Sequence, residues 1–130
     1  MIDRNEMMET IVNASPELTH DFSEFVSEWS DDLETPYYLF LADYSRYLVS
    51  LLESEARQQL SSAFDAIESL YRDGDDYVEN AVTVGIFESL QNKSLHRSTS
   101  PDQFVEYLQP LSLKNWHELT AYLNKVHGIQ

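Results

Sequence analysis

The chain has 130 residues, no cysteine, and 23 acids against 8 bases, a formal net charge of −15. That length fits one domain, residues 1–130, with a core large enough to fold without staples. The composition excludes disulfides, thiolate metal sites and a cysteine nucleophile, and the charge repels nucleic acid and anionic membranes while steering the chain toward basic surfaces.

The charge is uneven. Residues 1–40 carry ten acids and one base, net −9; residues 41–80 carry nine and three, net −6; residues 81–130 carry four of each. The opening stretch MIDRNEMMET lacks the basic and apolar regions of a secretory leader. The longest apolar run, Tyr37 to Ala42, is far short of the ~20 residues a membrane span needs. A soluble, cytoplasmic protein is expected.

Glycines stand only at 74, 85 and 128, and prolines at 16, 36, 101 and 110. The uninterrupted segments between them favour helices over strands. Residues 3–13 predict a first helix with Met7, Met8, Ile11 and Val12 inward. Ser15-Pro16 opens a second, because proline suits the first helical position, and Leu18, Phe22, Phe25, Val26 and Trp29 form its apolar stripe. The segment from Ser30 to Glu34 is an acidic loop. Thr35-Pro36 repeats the cap-and-proline signature and starts a third helix, with Asp43 and Arg46 spaced as a surface ion pair.

A fourth helix spans about Ala56 to Asp73, striped by Leu60, Phe64, Ile67, Leu70 and Tyr71. Gly74 is expected to stop it in the left-handed conformation. Asp76 then begins a fifth helix, with Glu79 placed as in a capping box, and the short DGDD connection predicts a helical hairpin. This fifth helix, about 76–92, is apolar on nearly every side and is expected at the centre of the core. Gly85 within it costs roughly 1 kcal/mol against alanine, and is expected to let a neighbouring helix approach. After a polar loop, Ser100-Pro101-Asp102-Gln103 predicts a capped short sixth helix. Ser112 is expected to cap a last one, with Trp116, Leu119, Tyr122, Leu123 and Val126 inward and Gly128 at its end. The fold expected is all-α: an antiparallel bundle, or a short array of helical hairpins, of six to seven helices.

No catalytic constellation stands in the sequence. Glu17 and His20 have the Glu-x-x-His spacing of a di-iron bundle, but the required second copy is missing. The DGDDYVE stretch starts like a calcium loop and fails at Val78 and Val84. Trp116-His117-Glu118 and His96 have no partner tied to them by sequence. No phosphate-binding glycine loop and no basic-aromatic interleaving is present. The expectation is a non-enzyme without cofactor, catalytic or metal-ligating residues. Two acidic clusters remain: Asp31, Asp32 and Glu34, and Asp73, Asp75 and Asp76. In alternating hairpin order their two loops share one end of the bundle, which would gather them into one anionic patch.

The stretch Val84-Gly85-Ile86-Phe87-Glu88-Ser89-Leu90-Gln91-Asn92 resembles a signature of a largely uncharacterised family of small acidic helical bacterial proteins. Phe25 with Trp29, Pro36-Tyr37-Tyr38, and Phe64 with Ile67 and Glu68 are also similar, so the likeness covers about residues 20–125. The family includes proteins that look like immunity proteins of polymorphic-toxin and contact-dependent growth inhibition systems. The resemblance implies a helical fold and no cofactor. Glu88, Gln91 and Asn92 match its motif, as a buried polar network or as partner contacts. The function expected is an immunity protein that neutralises a basic toxin, a nuclease by preference, through Asp31, Asp32, Glu34, Asp73, Asp75 and Asp76. Tyr37, Tyr38 and Trp29 would serve as aromatic anchors. The alternative is a helical adaptor or regulatory module with an unrelated partner. The sequence says nothing of oligomeric state.

Overall fold

The first helix, α1 (Arg4–Ala14), starts on a full capping box. Asp3 accepts the N–H groups of Asn5 and Glu6 at 2.9 Å each, and the Glu6 carboxylate accepts the Asp3 N–H at 3.2 Å. Such a cap contributes about 1 kcal/mol. The computed structural model describes residues 1–29 and 35–127. Among them are seven α-helices and no strand. After α1 come α2 (Thr19–Glu28), α3 (Tyr37–Glu53), α4 (Arg57–Asp73), α5 (Asp76–Ala81), α6 (Glu88–Leu90) and α7 (Pro110–His127). Short 3₁₀ turns at Pro16–Leu18, Lys93–Leu95 and Pro101–Tyr107 fill the connections. The expected all-α bundle is therefore present.

One core runs through the bundle, and Met7, Ile11, Leu41, Leu48, Leu60, Phe64, Ile67, Leu70, Ile86, Phe87 and Phe104 are wholly enclosed. Polarity alternates as the hairpins require. Ile2 pairs with Gly74 through Asp75 N–H to Ile2 O at 2.9 Å and Ile2 N–H to Asp73 O at 2.7 Å. The start of α1 thereby meets the end of α4. Asn5 accepts the Tyr37 hydroxyl, and the Tyr38 ring meets the Tyr77 ring at 6.3 Å. The starts of α1, α3 and α5 and the end of α4 thus share one end of the bundle.

The central segment is not the regular helix that its sequence predicts. Residues Val82–Phe87 form a π-helical turn between α5 and α6, in which the Glu88 N–H reaches the Thr83 carbonyl. At about 100° per residue Phe87 would point roughly 140° away from Val82. The wider turn, about 4.4 residues, brings it within roughly 50°. Phe87 then packs on Tyr71 at 5.6 Å and Trp116 at 5.1 Å, joining α4 and α7. Nor is the segment apolar all round: Tyr77, Asn80, Val84 and Glu88 make one wet stripe. Gly85 does admit α3. A Cβ there would stand 2.7 Å from Leu41 Cδ1, 3.1 Å from Leu41 Cβ and 3.2 Å from Tyr38 Cδ1.

Several helix ends differ from expectation. Gly74 is extended, at φ −77°, not left-handed. It is required for space, since a Cβ would meet the Leu70 carbonyl at 2.3 Å and Val78 Cγ1 at 2.6 Å. Asp75, not Asp76, caps α5, accepting the Val78 N–H at 2.9 Å. Pro36 occupies the cap position of α3, one place before the first helical residue. The predicted sixth helix is a 3₁₀ turn, although Gln103 does accept the Ser100 N–H at 2.7 Å as the box requires.

The largest difference is at α7. Ser112 lies inside the helix, and the cap comes from α4: the buried Glu68 carboxylate accepts the Leu111 N–H at 3.0 Å and the Ser112 N–H at 2.8 Å. Farther along α7, Trp116 and Leu119 are buried as expected, but Tyr122 and Val126 are 60% and 56% exposed. Tyr122 stands six residues after Trp116, about 120° around the helix from it, beyond the face that meets α4 and the π turn.

Candidate protein-binding surface

The end of the bundle where α1, α3 and α5 begin carries the predicted site residues that fall among the described ones. Asp31, Asp32 and Glu34 lie outside the described residues. Tyr37 is buried; its ring meets Tyr77 at 6.3 Å and its hydroxyl is held by Asn5, so it supports the surface from beneath. Tyr38 is 37% exposed. It lies against Tyr77, itself 36% exposed, and its hydroxyl accepts the Asn80 amide at 3.3 Å. Trp29 is half-buried at the end of α2, 6.4 Å from Phe25.

The acids of this end have unequal roles. Asp73 pairs with the neighbouring Arg72 through bonds of 2.9 and 3.1 Å, on the surface. An exposed pair of this kind is worth about 0–1 kcal/mol and is easily exchanged. Asp75 is half-buried and committed to its cap. Asp76 is exposed in the first turn of α5. The Ile2–Gly74 pairing adds Asp3 and Glu6 to the same end.

Sequence reasoning missed Arg4 and Tyr77. The Arg4 guanidinium lies 6.0 Å from the Tyr37 ring centre and 5.8 Å from that of Tyr77, within cation–π range. Arg4 is the lone base of the first forty residues, and that isolation was the available signal. Tyr77 opens the apolar run of the fifth helix, a pattern that points to the core. Its position in the first turn of a helix, beside an acid, marks it as a rim residue.

The motif residues of the central segment divide. Gln91 is half-buried and ties α6 to α7, donating to the Trp116 carbonyl at 3.2 Å and accepting the Thr120 hydroxyl at 3.1 Å. Asn92 accepts the Ser94 N–H at 3.1 Å and so caps the 3₁₀ turn that follows. Glu88 is exposed, with no hydrogen bond or ion pair through its carboxylate among the described residues.

The remaining polar groups have structural partners. His20 is exposed and pairs with Glu24 at 3.0 Å. His96 donates from Nε2 to the Leu90 carbonyl at 2.9 Å, which leaves Nδ1 facing the Thr99 hydroxyl at 2.8 Å. Trp116 is in the core while His117 and Glu118 face solvent, so those three do not converge. No group of three His, Asp or Glu side chains among the described residues is placed to hold a metal ion. The hydroxyls of Tyr44, Ser15 and Tyr47 are buried, with those of Tyr44 and Ser15 near one another. Burial raises the Tyr44 phenol pKa, keeping it neutral. Among the described residues no helix is long and apolar enough to cross a membrane.

Comparison with curated proteins and with solved structures finds no match. A family model described as a domain of unknown function, DUF7674, matches residues 8–124. With that match spanning nearly its whole length, the chain belongs to the DUF7674 family.

Proposed function

We propose that this protein is a binding protein, not a catalyst, and that it neutralises a basic toxin domain, a nuclease by preference, in the manner of an immunity protein. The observation that carries the reading is one juxtaposition. Two exposed tyrosines, Tyr38 and Tyr77, stand at the same end of the bundle as Asp73 and Asp76 in a chain of net charge −15. Surfaces that hold phosphates are cationic, and an acidic field speeds encounter with them. Exposed tyrosines supply contact area at small entropic cost, and binding energy concentrates in such residues.

The test mixes the purified protein with any basic nuclease domain found encoded beside its gene and follows DNA or RNA cleavage. Stoichiometric inhibition is expected, weaker in high salt and weaker with Asp73→Lys and Asp76→Lys. Asp75 is left intact because its loss would damage the α5 cap. No inhibition, or inhibition indifferent to both salt and charge reversal, overturns the reading. Recovery of a non-toxin partner in its place would support a helical adaptor.

A further inference from the structure

The wet stripe of the central segment has a composition of its own. Along it stand Asp76, Tyr77, Asn80, Val84 and Glu88, all exposed, with Val84 at 41%. Tyr38 of α3 lies alongside, held by the Tyr77 ring and the Asn80 amide, and lying over Gly85. The middle is therefore aromatic and aliphatic, and each end is a carboxylate. Twelve residues, half of them in the π turn with its smaller rise per residue, separate Asp76 from Glu88 by roughly 16 Å.

We infer that this ridge is the seat of a basic partner segment that carries two cationic side chains roughly 16 Å apart with apolar residues between them. That is the span of about twelve residues of helix or five to six of strand. The inference rests on the basic-partner reading above and adds a second pole to it. Glu88, far from the acidic end, becomes part of the binding surface, and the π turn holds Val84 out between the poles. Charge complementarity selects the occupant: none of the five stripe residues is a base, although Arg4 reaches from α1 onto the Tyr77 ring, and the two end residues are both acids. Arg4, resting on Tyr37 and Tyr77, shows that these ring faces accept a guanidinium.

Two synthetic helical peptides of twelve residues test this without any toxin. One carries arginine at both ends around leucine and tyrosine; the other has the same composition with both arginines at one end. Amide chemical shifts of the labelled protein should move at Tyr38, Tyr77, Asn80, Val84 and Glu88. The two-ended peptide should bind about tenfold tighter than its isomer, a preference that Glu88→Lys abolishes and Val84→Ser weakens. Both substitutions are on exposed positions, and unchanged thermal melts verify the fold. Equal affinity of the two peptides, shifts centred on α2 or α7, or a preference that survives Glu88→Lys overturns the inference. Failure of nuclease inhibition would bear on the toxin reading alone, since no nuclease is in the assay.

Discussion

Replacing Glu68 by alanine should cost about 3 kcal/mol. The carboxylate is 8% exposed and accepts two N–H groups at the start of α7, at 3.0 and 2.8 Å. Hydrogen bonds to a charged group contribute about 1.5–3 kcal/mol each, less the cost of burying the charge. The two donors differ in exposure. Leu111 is at the surface, so water can replace the carboxylate there; Ser112 is fully enclosed, and its N–H would be orphaned at about 1–3 kcal/mol. The favourable placement of a negative charge at a helix start is lost as well, worth up to ~2 kcal/mol when partly buried. Glu68→Gln keeps one acceptor oxygen but turns an amide group toward the other N–H, and should cost about half as much. Urea titration followed by circular dichroism measures both, with a fall in Tm of roughly 10 °C expected for the alanine variant. An alanine variant within about 0.5 kcal/mol of the parent would refute the claim that Glu68 anchors α7.

Three further outcomes follow from named contacts. Gly85→Ala gains about 1 kcal/mol of helix propensity, but its methyl meets Leu41, which is enclosed and has nowhere to retreat; overpacking of about 1–3 kcal/mol wins, and near-ultraviolet circular dichroism should report a displaced Tyr38. A variant more stable than the parent would contradict this. Glu55→Gly should stabilise by roughly 1 kcal/mol in thermal melts, because Glu55 holds φ +59° in a Schellman ending, with Ala56 N–H on the Leu51 carbonyl at 2.8 Å and Glu55 N–H on that of Leu52 at 3.2 Å. The Glu53 carboxylate has its pKa lowered by the Arg97 N–H first and the Ser98 N–H second. Its stabilisation is then present above the unfolded-state value and lost as pH falls through the lower folded-state one. The stability gap between the parent and Glu53→Gln should be full at neutral pH and close on acidification through the carboxylate range. A gap independent of pH would sink that assignment.

The parts of the fold legible in the sequence are those set by local periodicity. The stripe of α4 buries the residues that its spacing selects, and Asp43 pairs with Arg46 as i, i+3 geometry requires. The start of α3 lies at the same end as the α4–α5 turn, while the acidic loop before it lies outside the described residues. What local pattern could not supply is anything decided across the chain. The cap of α7 comes from Glu68, more than forty residues earlier, so the nearer Ser112 drew the assignment. Conformational freedom is the local signal of Gly74, whereas its true constraint is the Leu70 carbonyl and Val78 crowding the turn. Tyr37 and Tyr38 are neighbours of one chemical kind, and only helical phase separates them. Tyr37 falls in step with Phe40, Leu41, Tyr44 and Leu48, and is buried; Tyr38 falls beside that stripe and stays exposed.

The charge itself needs the same discrimination. Many of the described carboxylates are occupied: Asp3 and Asp75 cap their own helices, Glu68 caps another, Glu53 holds the Arg97–Ser98 backbone, and Asp43, Asp73 and Glu106 pair with arginines. A structural role removes a group from the contact surface but leaves its charge in the field. The net −15 therefore acts at a distance, on the rate at which a cationic partner arrives and on the salt dependence of that rate. Residence depends instead on the few groups still at liberty to touch, and Tyr38, Val84, Asp76 and Glu88 are the ones the fold presents together. Reversing acids remote from the ridge should slow association and spare dissociation, while changing Val84 or Tyr38 should do the opposite. A partner whose two rates respond alike to both kinds of change would be held by diffuse charge alone, and the ridge would have no part in recognising it.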